Sequence, residues 1–275
     1  DEVIVPVPYW VSYYEQIKLA DSKPVLVGSD DKFKIKTNII ESAITPKTKA
    51  IVYSSPSNPA GSIVDREELE KLAALAAEKN VYIISDEVYE YFCYDGKKNL
   101  SIASLNDKIK KLTITVNAVS KTYSMTGWRV GYAAGPSDVI KAMSDLQSHM
   151  TSNPTSIAQY AALEALNGPQ DSVKKMIRTF EKRRNFMVKS LNKIKGVKCL
   201  NPEGSFYAFP DMSGLLNNDA KGSMQLANLL LEKYKVGVVP GAAFVMDTNM
   251  RLSFAASKEM IEKALERIIA ILLQK

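Results

Sequence analysis

The sequence predicts an α/β fold with a mostly parallel sheet, followed by a smaller α+β region. Short apolar, β-rich runs alternate with helical patterns through the first half of the 275 residues. Those runs are continuously apolar rather than alternating, as strands covered on both faces require. In the second half, long helical patterns come first and short strand-like runs follow.

Runs at 3–7, 24–27, 50–54, 81–85 and 112–116 read as strands in chain order. Between the third and fourth, Leu69, Leu72, Ala73 and Ala76 recur at helical spacing. Asp65, with Glu68 three residues on, has the form of a capping box, and Asn80 closes the segment. This is βαβ arithmetic and predicts a doubly wound sheet. A helix begins near Ser137 and breaks at Asn153-Pro154, where proline disfavours continuation. A further helical pattern covers 171–195. Strand-like runs at 204–209, 236–239 and 251–254 then alternate with two helices, the last from Lys258 to the end. The expected division is a large domain over 1–168 and a small C-terminal domain over 169–275. No low-complexity linker separates them, so close packing is expected.

With 46% hydrophobic and 24% charged residues, the chain has ordinary globular composition and enough apolar side chains for a sizeable core. The formal charge of +6 comes from scattered lysines, with no long like-charge block and no basic stripe interleaved with aromatics. That argues against a nucleic-acid partner. Cys93 and Cys199 lie far apart with no CxxC pair, which speaks against a disulfide framework or a metal site and fits a reducing cytoplasm. The single histidine, His149, reads as an ordinary helix residue, so mechanisms needing several histidines are set aside. The apolar runs are too short to span a bilayer, which predicts no membrane association. The chain opens at Asp1-Glu2 directly into a strand-like stretch, which reads as a start inside a longer sequence.

The sharpest segment is Ser120-Lys121-Thr122-Tyr123-Ser124-Met125-Thr126-Gly127-Trp128-Arg129-Val130-Gly131. It follows a buried strand, at the carboxyl end where open α/β sheets place ligands. Burial lowers a lysine's pKa, and a neutral amine can condense with an aldehyde cofactor and later shuttle a proton. Arg129 can fork onto a phosphate. A surface lysine after a strand is the plain alternative. However, arginine is scarce, with seven in the chain, so a Lys-Arg pair around a Gly-Trp turn is less easily accidental.

This segment resembles the cofactor-lysine signature of class I and II aminotransferases, pyridoxal-phosphate enzymes of fold type I. Ser55-Pro56-Ser57-Asn58-Pro59-Ala60-Gly61 is similar to the family's S-P-x-N-P-x-G turn, and Ile84-Ser85-Asp86-Glu87-Val88-Tyr89 to its S-D-E-x-Y. Pro8-Tyr9-Trp10-Val11-Ser12-Tyr13, the turn Pro240-Gly241-Ala242-Ala243-Phe244 and Arg251-Leu252-Ser253-Phe254-Ala255 extend the likeness in the family's order.

The resemblance implies pyridoxal 5'-phosphate as cofactor, no metal, and Lys121 as the catalytic residue that holds the cofactor. It implies that Asp86 pairs with the pyridine nitrogen and keeps it protonated, which makes the ring an electron sink. Asn58 and Tyr89 would bond the cofactor's phenolic oxygen, Trp10 would stack on the ring, and Ser120 and Arg129 would meet the phosphate. Arg251 would clamp the substrate's α-carboxylate, with Trp10 and Asn58 beside it. Plainer roles exist for each: a helix N-cap for Asp86, a turn Asn before Pro for Asn58, a core aromatic for Tyr89 and a strand-surface charge for Arg251.

Within the family, the Trp10, Trp128 and Arg251 stretches look most like the bacterial aspartate aminotransferase branch. That implies ping-pong transfer from aspartate to 2-oxoglutarate by a cytoplasmic homodimer. Aromatic, prephenate or broad specificity, a carbon–sulfur lyase, or an aminotransferase-like regulatory domain stand as alternatives. Two departures stand out. Ala118 occupies a position where relatives often carry Gly or a hydroxyl, leaving Ser120 as a substitute. Asp247-Thr248-Asn249 replaces a Gly-bearing turn, and Asn is expected to take its left-handed position. The likeness begins well inside the family's sequence, so a phosphate-cradling helix N-terminus and one strand are expected to lie outside these residues. On that reading the sheet carries an exposed edge, and this stretch alone binds cofactor weakly and turns over little.

Overall fold

Parallel pairing of the first five strands organises the molecule. The computed structural model describes residues 1–216 and 220–271. The first half runs β1 (Glu2–Pro6), α1 (Ser12–Leu19), β2 (Lys23–Val27), α2 (Thr37–Ala43), β3 (Thr48–Ser54), α3 (Arg66–Lys79), β4 (Tyr82–Asp86), α4 (Asp107–Lys110), β5 (Thr113–Ala118), α5 (Val119–Thr122) and β6 (Gly131–Ala134). The sheet order is β2-β1-β3-β4-β5-β6, with β1 to β5 parallel. β6 pairs antiparallel with β5, the short stretch 119–130 between them folding the chain back on itself. β6 lies at one edge of the sheet, and its Tyr132 is exposed.

Successive strand residues face opposite sides, which sorts the core into two layers. Ile4, Ile51 and Ile83 pack with Leu69, Leu72 and Ala76 of α3 on one face. Val5 and Val52 meet Tyr13 and Ile17 of α1 on the other. Each fully buried Leu or Ile contributes roughly 1.5–3 kcal/mol, so these contacts supply much of the driving force. Asn80 ends α3 in the left-handed conformation, at φ 55°, as its place in the pattern suggests. The capping-box expectation is corrected. The Asp65 carboxylate pairs with Lys34 at 2.9 Å, and Glu68 accepts the Thr37 backbone N–H at 2.6 Å. Partners from the segment leading into α2 outcompete the local cap.

The second half runs α6 (Ser137–Met150), α7 (Ser156–Asn167), α8 (Asp171–Leu191), β7 (Tyr207–Ala208), α9 (Ser223–Glu232), β8 (Val239–Pro240), β9 (Met250–Ser253) and α10 (Lys258–Ile269). The helix break falls around Pro154, and Thr155 caps α7 by accepting the Ala158 N–H. The 171–195 pattern ends as helix at Leu191. α10 ends at Ile269, and the expected continuation over 272–275 lies outside the described residues. The small sheet, ordered β7-β9-β8, is antiparallel and its strands are shorter than expected. Ser205 sits at φ 58°, which breaks the 204–209 run before Tyr207. A second core gathers Leu191, Leu226, Leu230, Phe254 and Leu265.

The two halves are stitched together after β4. Tyr94 enters the second core, and the fully buried Arg184 of α8 forks onto Asp95 at 2.8 and 2.7 Å. It also donates to the Pro202 carbonyl and lies over the Tyr94 ring. Nearby, the Gly204 N–H donates to the Gly61 carbonyl, and a side chain at either glycine would collide with the opposite half.

The Arg184 guanidinium holds the Asp95 carboxyl below the usual carboxylate range. The native state therefore binds fewer protons there than the unfolded chain does. Its stabilisation is present above the ordinary carboxylate pKa and is lost as pH falls through the lower native value. Asp95→Asn is expected to melt about 2–5 °C below wild type at pH 7, with the gap narrowing towards pH 3. Thermal unfolding at both pH values checks this; a gap of equal size at both would remove the ion pair as its cause.

Candidate active site

Five parallel strands bring their carboxyl ends to one edge, and the loops leaving β1, β3, β4 and β5 meet there. Across the sheet, Ser54 pairs with Asp86 and Asp86 with Val116, so one row of residues forms the floor. The chain leaves β1 for β2 on one side and returns to β3 on the other. That reversal opens a crevice at the carboxyl ends, as in other open α/β sheets. A cleft of about 400 Å³ occupies it and is lined by Trp10, Asn58, Asp86, Tyr89, Ser120, Lys121, Arg129 and Arg251. The eight candidate site residues thus converge on one space, from segments more than two hundred positions apart.

Asp86 ends β4 with both carboxylate oxygens engaged. Oδ2 accepts the Tyr13 hydroxyl at 2.6 Å and Oδ1 accepts the Val88 N–H at 3.1 Å. It opens a turn, not the helix of the N-cap alternative; the Glu90 N–H bonds back to the Glu87 carbonyl. Burial pushes the Asp86 carboxyl up, against the opposing pull of Tyr13, the Val88 amide and Lys121. No lysine or arginine pairs with it among the described residues. Its environment suits a ligand that brings a cationic N–H.

Lys121 stands in the single turn of α5, directly after β5. Its Nζ lies over the faces of Tyr89 and Phe206, at 6.0 and 5.9 Å, and makes no ion pair among the described residues. Burial, then the nearby Arg251, pushes its pKa down; Asp86 opposes and Arg129 adds to the fall. The loop beyond it is strained: Ser124 and Arg129 both hold left-handed backbone, at φ 54° and 56°. Each such residue costs on the order of 1–3 kcal/mol, so the surrounding fold must hold it there. Arg129 Nη1 donates to the Thr126 carbonyl at 2.9 Å, which turns the guanidinium towards the cleft.

Asn58 sits in the 55–61 turn, closed by the Gly61 N–H on the Ser57 carbonyl, and is buried. Its Oδ1 accepts Arg251 Nη1 at 2.9 Å, which leaves its Nδ2 to donate. Arg251 projects from β9 and is flanked by the rings of Tyr207 and Phe244, at 4.3 and 5.2 Å. The turn before it keeps Gly241 and Phe244 buried. The left-handed residue there is Val245, at φ 63°, not Asn249 as expected. Asn249 is instead buried and donates to the Phe209 carbonyl, a contact that fixes it elsewhere. Trp10 stands edge-on to Tyr13, with ring centres 5.4 Å apart.

Tyr13, Asn117, Thr126 and Tyr207 also line the cleft and escaped the reading from sequence. A signal existed for Tyr13, which follows Trp10 by one helical turn in the same motif. Tyr207 carries no comparable signal, since its place depends on how the small sheet docks.

A lysine of lowered pKa, a half-buried carboxylate without a cation and two arginines around one cleft give this α/β fold a site suited to an anionic ligand. Residues 1–268 match the model of the "Aminotransferase class I and II" family, and the chain belongs to that family. It is 50% identical over 271 residues to an aspartate aminotransferase of Bacillus subtilis, covering 98% of this chain and 69% of that protein. An aspartate/prephenate aminotransferase of Cereibacter sphaeroides is 46% identical, with 98% and 70% covered. The crystal structure of an aspartate aminotransferase from Rhizobium meliloti superposes with a TM-score of 0.93 at 41% identity, covering 98% of this chain and 70% of that one. The chain is thus an aminotransferase with the fold type I architecture.

Because the Tyr13 hydroxyl favours ionised Asp86, Tyr13→Phe is expected to move the Asp86 titration midpoint upward. Carbon NMR of the labelled carboxyl group would follow it, and an unchanged or lower midpoint would dismiss Tyr13 as its partner.

Proposed function

We propose that this aminotransferase carries amino groups from aspartate to 2-oxoglutarate with pyridoxal 5'-phosphate as cofactor. The observation that carries the reading is the convergence of Lys121, Asp86 and Arg251 on one cleft of about 400 Å³. The names of the relatives support aspartate; prephenate appears beside it in several of them. The donor set fits the cofactor: an amine without an ion pair, a half-buried carboxylate lacking a cation among the described residues, and an arginine on the loop after Lys121.

When bound, pyridoxal 5'-phosphate supplies an aldehyde that takes up the amino group and a ring that accepts the electron pair released at the substrate's Cα. Lys121 would anchor the aldehyde through Nζ until the substrate's amine replaced it there. The freed Nζ, whose pKa burial lowers, would then take the Cα proton. Asp86, steadied by Tyr13, would hold a proton on the ring nitrogen. Tyr89 and Nδ2 of Asn58 would donate to the phenolic oxygen. Trp10 would cover the ring, and Ser120 and Arg129 would hold the phosphate. Arg251, with one nitrogen committed to Asn58, offers the rest of its fork to the α-carboxylate, and Trp10 and Asn58 close around that end.

The separate cores of the two sheets support a large domain over 1–168 and a small one over 169–275. Two further readings concern the setting. Met143, Leu146 and Met150 of α6, with Ile157, Tyr160 and Leu163 of α7, are exposed large apolar side chains, which supports pairing of two copies. Among the described residues no helix is long and apolar enough to cross a membrane. Both thiols are free, and burial raises Cys93 to about 11 and Cys199 to about 12, so neither is a ready nucleophile; a reducing cytoplasm suits them.

Cofactor-loaded wild type is expected to show a visible absorption band that aspartate shifts and 2-oxoglutarate restores. Lys121→Ala is expected to lose the band and roughly 10⁴-fold in turnover; a band that persists would refute the anchoring role. Sedimentation velocity is expected to give twice the chain mass at micromolar concentration, and a monomer there would reject the pairing.

A further inference from the structure

We infer that Tyr207 is a positioning residue whose hydroxyl donates to Tyr89, leaving the Tyr89 proton for the cofactor's phenolic oxygen, while its ring seats Arg251. The inference rests on the roles proposed above for Tyr89 and Arg251. It assigns a function to a side chain of the small sheet that no motif singled out.

Tyr207 lies on β7, which pairs antiparallel with β9 so that Tyr207 stands opposite Ser253. Arg251, two residues from Ser253 on the same face, is its diagonal neighbour, and long side chains reach across that distance. The ring centre is 4.3 Å from the guanidinium carbon. At its other end, the Tyr207 hydroxyl is 3.2 Å from that of Tyr89, and both residues are buried. One side chain therefore touches both the group facing the cofactor and the group facing the substrate.

Either oxygen of the tyrosine pair could donate, and the choice has a chemical consequence. If Tyr89 donated to Tyr207, it could only accept from the cleft and would repel an anionic oxygen. If Tyr207 donates, the Tyr89 proton is free, and accepting a hydrogen bond makes Tyr89 the stronger donor. Burial, then the neighbouring Tyr207, pushes the Tyr89 phenol far above its ordinary value, which keeps that proton in place. Phe206, 5.2 Å from the Tyr89 ring and edge-on to it, restricts the ring's rotation.

The hydroxyl and the ring are separable by Tyr207→Phe, which removes one and retains the other. A donor to the phenolic oxygen favours the deprotonated form of the loaded chromophore, so weakening that donor raises the pH midpoint of the visible band. In cofactor-loaded protein, Tyr207→Phe is expected to raise the midpoint by about half a pH unit or more. The dissociation constant of maleate, a non-reacting dicarboxylate, is expected to stay within about twofold because the ring under Arg251 remains. An unchanged midpoint, or maleate affinity falling in parallel, overturns the inference. Tyr89→Phe and Arg251→Ala separate this from failure of the underlying reading. Tyr89→Phe is expected to raise the midpoint further, and Arg251→Ala to weaken maleate at least tenfold. If those controls move nothing while the variants still bind cofactor, the roles of Tyr89 and Arg251 fail, and the inference falls with them.

Discussion

Parallel pairing of β1 to β5 is the constraint from which the site follows. Strands that run the same way must be joined by crossovers, so every loop leaving a carboxyl end lands on the same edge. Trp10, Asn58, Asp86 and Lys121 are separated by dozens of residues, yet each ends or closely follows a strand of that sheet. The helices pay for the arrangement by covering the faces, and the edge is left to the chemistry. Where the direction reverses, between β5 and β6, the connecting stretch is the lysine loop itself, held in left-handed backbone at Ser124 and Arg129.

Charge is arranged within that frame so that few groups are satisfied by one another. Asp86 is half-buried, supported by neutral donors and without a cation among the described residues. Lys121 rests on aromatic faces without a carboxylate partner. Arg184, by contrast, is fully buried and paired with Asp95 and the Pro202 carbonyl, and it holds the halves together. Burial without a cation does not by itself mark a site, since buried Glu87 is held by the Ser85 and Ser101 hydroxyls; Asp86 and Lys121 are set apart by lining the cleft.

Much of this was legible because it is written in local patterns. The five parallel strands appear as continuous apolar runs, and α3 as a helical repeat ended by Asn80. The segment 120–131 identifies its family by its order of residue types. β6 was not foreseen, since Gly131-Tyr132-Ala133-Ala134 has little intrinsic strand preference and forms by pairing with β5. The Asp65–Glu68 box failed because Lys34 and Thr37, distant in sequence, compete for those carboxylates. The left-handed role expected of Asn249 fell to Val245, because the Asn249 amide is engaged by Phe209. Tyr207 was invisible for the same reason: its contacts exist only once the small sheet docks against the large one.

The bond from Arg251 to Asn58 joins a strand of one sheet to a turn of the other before any ligand arrives. A free arginine side chain surrenders about 2 kcal/mol of rotamer entropy when it is immobilised. Here much of that ordering is completed during folding, by Asn58 on one nitrogen and by two rings along the guanidinium. In the role proposed for Arg251, carboxylate capture begins from a fork already aimed. The entropic share of the binding free energy is accordingly more favourable than at an exposed arginine, and selectivity passes to whatever the ligand places beyond its α-carboxylate.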